Sequence, residues 1–189
     1  MDFFVEYELG NLIVDGKDDH ADLIGTKIVG ELLFVCYPEE GDILVKSIGE
    51  YLIYIFNEHE NDIFDSADAH SQRLADMISN VKLETDHILY EFNGEDTGID
   101  VDGKIAVLED FRITDSKIPA AEDLRDILDQ IVQKVGKIFD VDYFLTDEFA
   151  FSEEIKNKNV VNLLEEIGFV RSGNDGMIRP LCIDSLPDI

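Results

Sequence analysis

The chain has 189 residues, 45% of them hydrophobic and 10% aromatic, with 43 acids against 15 bases and a formal net charge of -28. That length and apolar content suit one folded domain with a real core, not a disordered acidic chain. The charge argues against direct binding to DNA, RNA or an anionic membrane, which need clustered Lys and Arg; the five arginines (Arg73, Arg112, Arg125, Arg171, Arg179) are scattered.

No run approaches the ~18 apolar residues of a membrane span, and the opening Met-Asp-Phe-Phe shows no basic-then-apolar leader. Cys36 and Cys182 lie far apart on expected strands, and buried thiols in a reducing cytoplasm suit them better than a disulfide. The expected location is therefore cytoplasmic.

Residues 3–9 alternate, with Phe3, Val5, Tyr7 and Leu9 set against Phe4, Glu6 and Glu8, which predicts a half-buried strand. Leu12 and Val14 extend it past Gly10. A polar connection leads to a second strand over 28–37, rich in β-formers and stopped by the Pro38-Glu39-Glu40-Gly41 turn. The two are expected to be antiparallel. Residues 43–56 fit a strand by their aromatic and β-branched content and a helix by Ile48, Leu52, Ile55 and Phe56, so their periodicity leaves both open.

Leu74, Met77 and Ile78 predict a helix over 66–79, and 88–92 a short strand. Residues 93–102, with two glycines and four acids, predict a loop or hairpin tip, with a long strand over 105–113 beside it. Leu124, Ile127, Leu128, Ile131, Val132, Val135 and Ile138 form one apolar stripe, predicting a helix over 120–138. Pro119, Glu122 and Asp123 suit its start and Lys134 and Lys137 its end. A strand over 143–145 and a loop or short turn over 149–156 follow. Val160, Val161, Leu164 and Ile167 then mark a helix closed by Gly168, and a hairpin joins 169–171 to 177–183.

The order of the second half, β-α-β-α-β-β, resembles the GNAT acyltransferase superfamily. The resemblance rests chiefly on residues 157–169 (NKNVVNLLEEIGF), where an asparagine opens the late helix and a Gly-Phe pair ends it. Leu108-Glu109-Asp110-Phe111 resembles the family's central strand. The implied fold is α/β in the α+β sense, a mixed, mainly antiparallel central sheet flanked by helices. The chain is taken as a single domain, 1–189, with divergent strands and helices over 1–87 and the GNAT-like core over 88–183.

The resemblance also implies acetyl-CoA, its pyrophosphate held by a glycine-bearing turn after the central strand. Residues 114–123 contain no glycine there; Pro119 removes an N–H, and Asp115, Glu122 and Asp123 bring negative charge that Lys117 only partly offsets. Like charges ~4–6 Å apart at a surface dielectric of about 20 cost several kcal/mol. The family's general-acid tyrosine aligns with Leu164, which has no proton to give, while Glu109 stands where some members place a general base.

The other constellations carry little chemistry. The stretch 93–103 invites a calcium reading, but Gly98 at the sixth position of an EF-hand loop puts Lys104 at the twelfth. His20, His59, His70 and His87 have no i, i+4 spacing and no cysteine nearby, so zinc finds no ligand set. No serine sits in a Gly-x-Ser-x-Gly elbow.

Acids cluster over 15–22, 58–68, 91–102, 115–129 and 140–154 with few interleaved lysines. Ordinary acidic faces carry compensating bases at helical spacing. A salt-adapted composition fits poorly with an isoleucine-rich, alanine-poor chain, which leaves simple solubility or a basic partner. The expected function is an acidic, non-catalytic interaction protein, a DNA-mimic-type inhibitor or regulator of a basic nucleic-acid-binding protein, with no cofactor and no metal. Anti-restriction, anti-defence and nuclease-immunity proteins illustrate that class. The expected surface comprises Asp115, Glu122, Asp123, Asp126 and Asp129 with Glu95, Asp96, Asp100 and Asp102. The alternative is a cytoplasmic N-acyltransferase using acetyl-CoA, with Glu109 as its base.

Overall fold

Three long strands, β1 (Phe3–Asp15), β2 (Thr26–Pro38) and β3 (Leu44–Asn57), open the chain as an antiparallel meander. The computed structural model describes residues 3–15, 25–57, 63–84, 89–92, 95–98, 103–115, 118–172 and 176–181. The sequence left 43–56 undecided, and packing explains why. Tyr51, Ile53 and Ile55 face one core cluster and Phe56 the opposite one. A strand apolar on both faces loses its period-two signature, so a helical stripe matches it equally well.

α1 (Ile63–His70) and α2 (Gln72–Glu84) replace the single helix expected over 66–79. The break falls at Ser71, whose hydroxyl accepts the Leu74 N–H at 3.2 Å, the bond of a helix N-cap. β4 (Leu89–Phe92) and β5 (Glu95–Gly98) form a separate two-stranded sheet. The stretch expected to be a loop or tip therefore contains a strand, and β6 (Lys104–Ile113) pairs with neither β4 nor β5. β6 instead pairs antiparallel with β3 and parallel with β7 (Tyr143–Asp147). Ile105, Ala106, Val107 and Leu108 of β6 are all buried, so this strand needs apolar cover on both faces, which a place inside the large sheet supplies.

α3 (Ala121–Phe139) links β6 to β7. A 3-10 turn (Glu148–Ala150), α4 (Glu153–Lys156), α5 (Val160–Glu166), β8 (Val170–Ser172) and β9 (Gly176–Pro180) complete the order. The segment expected as a loop or short turn over 149–156 thus holds a helical turn at each end. The seven-stranded mixed sheet runs β1-β2-β3-β6-β7-β9-β8, and only β6–β7 is parallel between strands. Gly168 follows α5 with φ 91°, the left-handed close anticipated for it.

One face of the sheet packs on α3, α4 and α5 through Ile28, Tyr51, Ile53, Phe111, Leu124, Ile127, Ile131 and Ile155. The other packs on α1 and α2 through Phe56, Ile105, Val107, Leu145, Ala67 and Leu74. Gly30 is required here, because a Cβ would fall inside the Tyr51 ring. Among the described residues no helix is long and apolar enough to cross a membrane. Cys36 is half-buried and free; Cys182 lies outside the described residues.

Candidate functional site

β6 and β7 pair over only three positions, Ile105, Ala106 and Val107 against Tyr143, Phe144 and Leu145. Just beyond, β6 bulges: Ile53 of β3 faces Leu108 while Leu52 faces Asp110, leaving Glu109 as the extra residue. The chain fills this junction itself. The Thr146 hydroxyl donates to the Leu108 carbonyl at 3.2 Å, and Phe111 bridges Phe151, their ring centroids 5.7 Å apart.

Arg73 of α2 locks both strands. Its Nε donates to Asp147 at 3.0 Å, its Nη2 to the other Asp147 oxygen, and its Nη1 to the Glu109 carbonyl at 3.0 Å. Asp147 also accepts the Ala150 N–H at 3.0 Å, capping the 3-10 turn. The Glu109 carboxylate accepts from the Ser71 hydroxyl at 3.3 Å, so the sequence's one candidate base is tied to the cap of α2.

The corner after β6 is likewise satisfied internally. The N–H groups of Thr114 and Asp115 both donate to the Ile48 carbonyl, at 2.7 and 3.2 Å. Asp115 pairs with Lys46 at 2.5 Å and its side chain is only 16% exposed. Asp123 accepts the Ala120 N–H at 3.3 Å, placing a carboxylate at the start of α3, where the helix dipole favours negative charge. The Tyr7 phenol is pushed above its usual range by burial and then by Asp123 and Asp115. Both acids are half-buried and have partners within the corner.

The rest of the expected acidic row is partly neutralised. Asp126 accepts from Arg125 at 2.8 Å, and that bond chiefly raises the Arg125 pKa. Asp129 accepts from Arg179 of β9 at 2.7 Å. Glu122 and Asp126 are exposed, but the exposed positions that follow on α3 are Gln130, Gln133, Lys137 and Ile138, the last expected in the apolar stripe, so the acidity fades along the helix. Glu95 and Asp96 fall on β5; Asp100 and Asp102 lie outside the described residues.

A different acidic surface emerges from strand register. Tyr7 and Leu9 point to the α3 side, so Glu6 and Glu8 point to the other. On that same side Glu8 faces Leu33, Glu31 faces Glu50, Glu50 faces Arg112 and Leu52 faces Asp110. Glu6, Glu8 and Glu50 are exposed and Glu31 is half-buried. Tyr37 donates to Glu8 at 3.0 Å and Arg112 pairs with Asp110 at 2.6 Å. The alternation of Glu6 and Glu8 was visible in the sequence. Their alignment with Glu31 and Glu50 was not, because it depends on which residues of β1, β2 and β3 pair across the sheet.

No family model, curated protein or solved structure matches the chain. The carboxylates of this face are spread over three strands, and among the described residues no group of three or more His, Cys, Asp or Glu converges to hold a metal ion. Such an arrangement presents an extended negative field over an ordered surface.

Proposed function

We propose that the chain is an acidic, non-catalytic interaction protein of the cytoplasm that occupies the nucleic-acid-binding face of a basic protein and thereby inhibits or regulates it. The observation that carries this reading is the exposed sheet face bearing Glu6, Glu8, Glu31 and Glu50 on a chain of net charge -28. Alternate residues on a strand stand roughly 6.6–6.8 Å apart and neighbouring strands about 4.8 Å apart. Carboxylates on such a lattice form a fixed, dense negative pattern. Duplex DNA, the ligand imitated, carries one charge per ~1.7 Å of axis.

The cross-strand pair Glu31–Glu50 supports a role beyond solubility, because like charges placed directly opposite destabilise a sheet. Long-range steering by the whole field accelerates encounter with a basic partner and makes binding salt-dependent. The test is capture of partners on the immobilised chain at low salt, release by a salt gradient, and competition with duplex DNA. Basic nucleic-acid-binding proteins displaced by DNA support the reading. Captured proteins that hold DNA and this chain together contradict it.

A second reading, a GNAT-like scaffold serving as an N-acyltransferase, draws on the parallel β6–β7 pair that parts at the Glu109 bulge. Calorimetry with acetyl-CoA decides it: micromolar binding supports an acyltransferase, and no detectable heat leaves only the scaffold. Against it stand the corner amides committed to Ile48, the Asp123 carboxylate at the helix start, and a buried Leu164 in place of a tyrosine.

A further inference from the structure

We propose that the outer edge of β1 is a strand-docking site for an extended segment of the partner whose side chains alternate between cationic and acidic or amide. The proposal rests on the reading above only for the partner's basic character; the mode of docking follows from the edge itself.

β1 is the terminal strand of the large sheet, and among the described residues nothing pairs with its outer side. The Leu9 carbonyl accepts from Lys134 Nζ at 3.3 Å, across to α3, so it points away from β2. In an antiparallel pair every second residue directs both backbone groups outward. Val5 and Tyr7 therefore share the sense of Leu9, up to the irregularity before Leu12. Three sets of outward backbone groups thus stand in one row, and a lysine reaches one of them. Beside the row runs a groove of ≈ 470 Å³ lined by Glu8, Leu9, Gln130, Gln133, Lys134 and Lys137.

The charges on the two sides of this edge differ in sign. Exposed Glu6 and Glu8 stand on one face of the strand. On the other, Lys134 and Lys137 sit one helical turn apart and open on the groove, whose rim Glu8 shares at the strand, in a chain with only 15 bases. A strand added here places successive side chains on opposite faces. Arginine or lysine then meets Glu6 and Glu8 as cross-strand neighbours, while glutamate or glutamine meets Lys134, Lys137 and the two glutamines. A second copy of this chain fits the edge badly. Pairing β1 with β1 brings Glu6 and Glu8 of both copies to one junction and joins two bodies of charge -28.

The test is fluorescence anisotropy of the full chain with three labelled peptides of about eight residues: alternating Arg and Glu, the same composition in two blocks, and the alternating peptide N-methylated on every second amide. The alternating peptide is expected to bind roughly tenfold or more tighter than the other two. Lys134→Glu/Lys137→Glu is expected to abolish that preference, with circular dichroism confirming the fold; Lys134→Gln/Lys137→Gln substitutes if the charge reversal unfolds the chain. Equal binding of all three peptides, no binding of the alternating one, or tighter binding by the lysine variants overturns the proposal. So does a chain that sediments as a dimer which the peptide cannot dissociate. Salt-sensitive partner capture that survives loss of the peptide effect rejects strand docking alone.

Discussion

Glu31 on β2 and Glu50 on β3 are direct cross-strand neighbours on one face of the sheet. Two carboxylates so placed repel, and one such pair costs on the order of 0.2–1 kcal/mol. Glu31→Gln and Glu50→Gln are each expected to raise the unfolding free energy from urea denaturation by that order, with the double variant gaining less than the sum, since either change alone relieves the repulsion. The same variants are expected to weaken partner binding. A surface kept for solubility alone gives the stability gain with no binding loss.

Arg73 joins α2 to the two strands that part at the centre of the sheet, through Asp147 and the Glu109 carbonyl. Its side chain is 32% exposed and that of Asp147 9%, so removing the cation strands a carboxylate that is largely withdrawn from water. Arg73→Ala is expected to cost about 3 kcal/mol in urea denaturation. Arg73→Lys is expected to recover only part, because one ammonium cannot span the carboxylate and the carbonyl in the geometry of a guanidinium.

The extent to which the sequence disclosed this molecule follows from where the information lay. The stripe from Leu124 to Val135 faces one core, so its period survived intact and α3 was legible. β3 was not, because it packs on both faces. The place of β6 between β3 and β7 is a long-range choice with no local signal. Asp115 and Asp123 read as projecting acids until Lys46 and the Ala120 N–H supplied partners. The acids that do share an exposed face lie on β1, β2 and β3, brought into line by a strand register that local periodicity does not reveal.

Tyr51 lies in the core with its pKa pushed up to about 12 by burial, against an ordinary value of 10.0. Above pH 10 the unfolded chain ionises this phenol while the folded chain holds its proton, so protons favour the folded state and stability falls as pH rises. The decline attributable to Tyr51 is confined to the window from 10 to about 12. Tyr51→Phe is expected to flatten the stability profile there, measured by urea denaturation against pH, whatever its effect near neutrality.

Gly41 and Gly103 both hold positive φ, 110° and 97°, but their surroundings differ. A Cβ at Gly41 meets nothing within 4 Å, whereas one at Gly103 strikes the Asp142 carboxylate, which accepts the Lys104 N–H at 2.7 Å. Gly41→Ala is expected to cost only backbone strain, about 1 kcal/mol. Gly103→Ala adds the loss of that hydrogen bond, for a total of about 2–3 kcal/mol. Thermal or urea melts of the two variants separate the contributions.

The central claim is that the β1–β2–β3 face engages a basic partner in place of nucleic acid. The most direct measurement is the affinity of a captured partner for the wild-type chain and for Glu6→Gln/Glu8→Gln/Glu31→Gln/Glu50→Gln, at about 50 and 200 mM salt, with and without competing duplex DNA. The account predicts affinity that falls at least roughly tenfold across that salt range. It also predicts a shallower fall for the quadruple variant, and displacement of the chain by DNA. Affinity unchanged by salt, by the four substitutions and by DNA would contradict it.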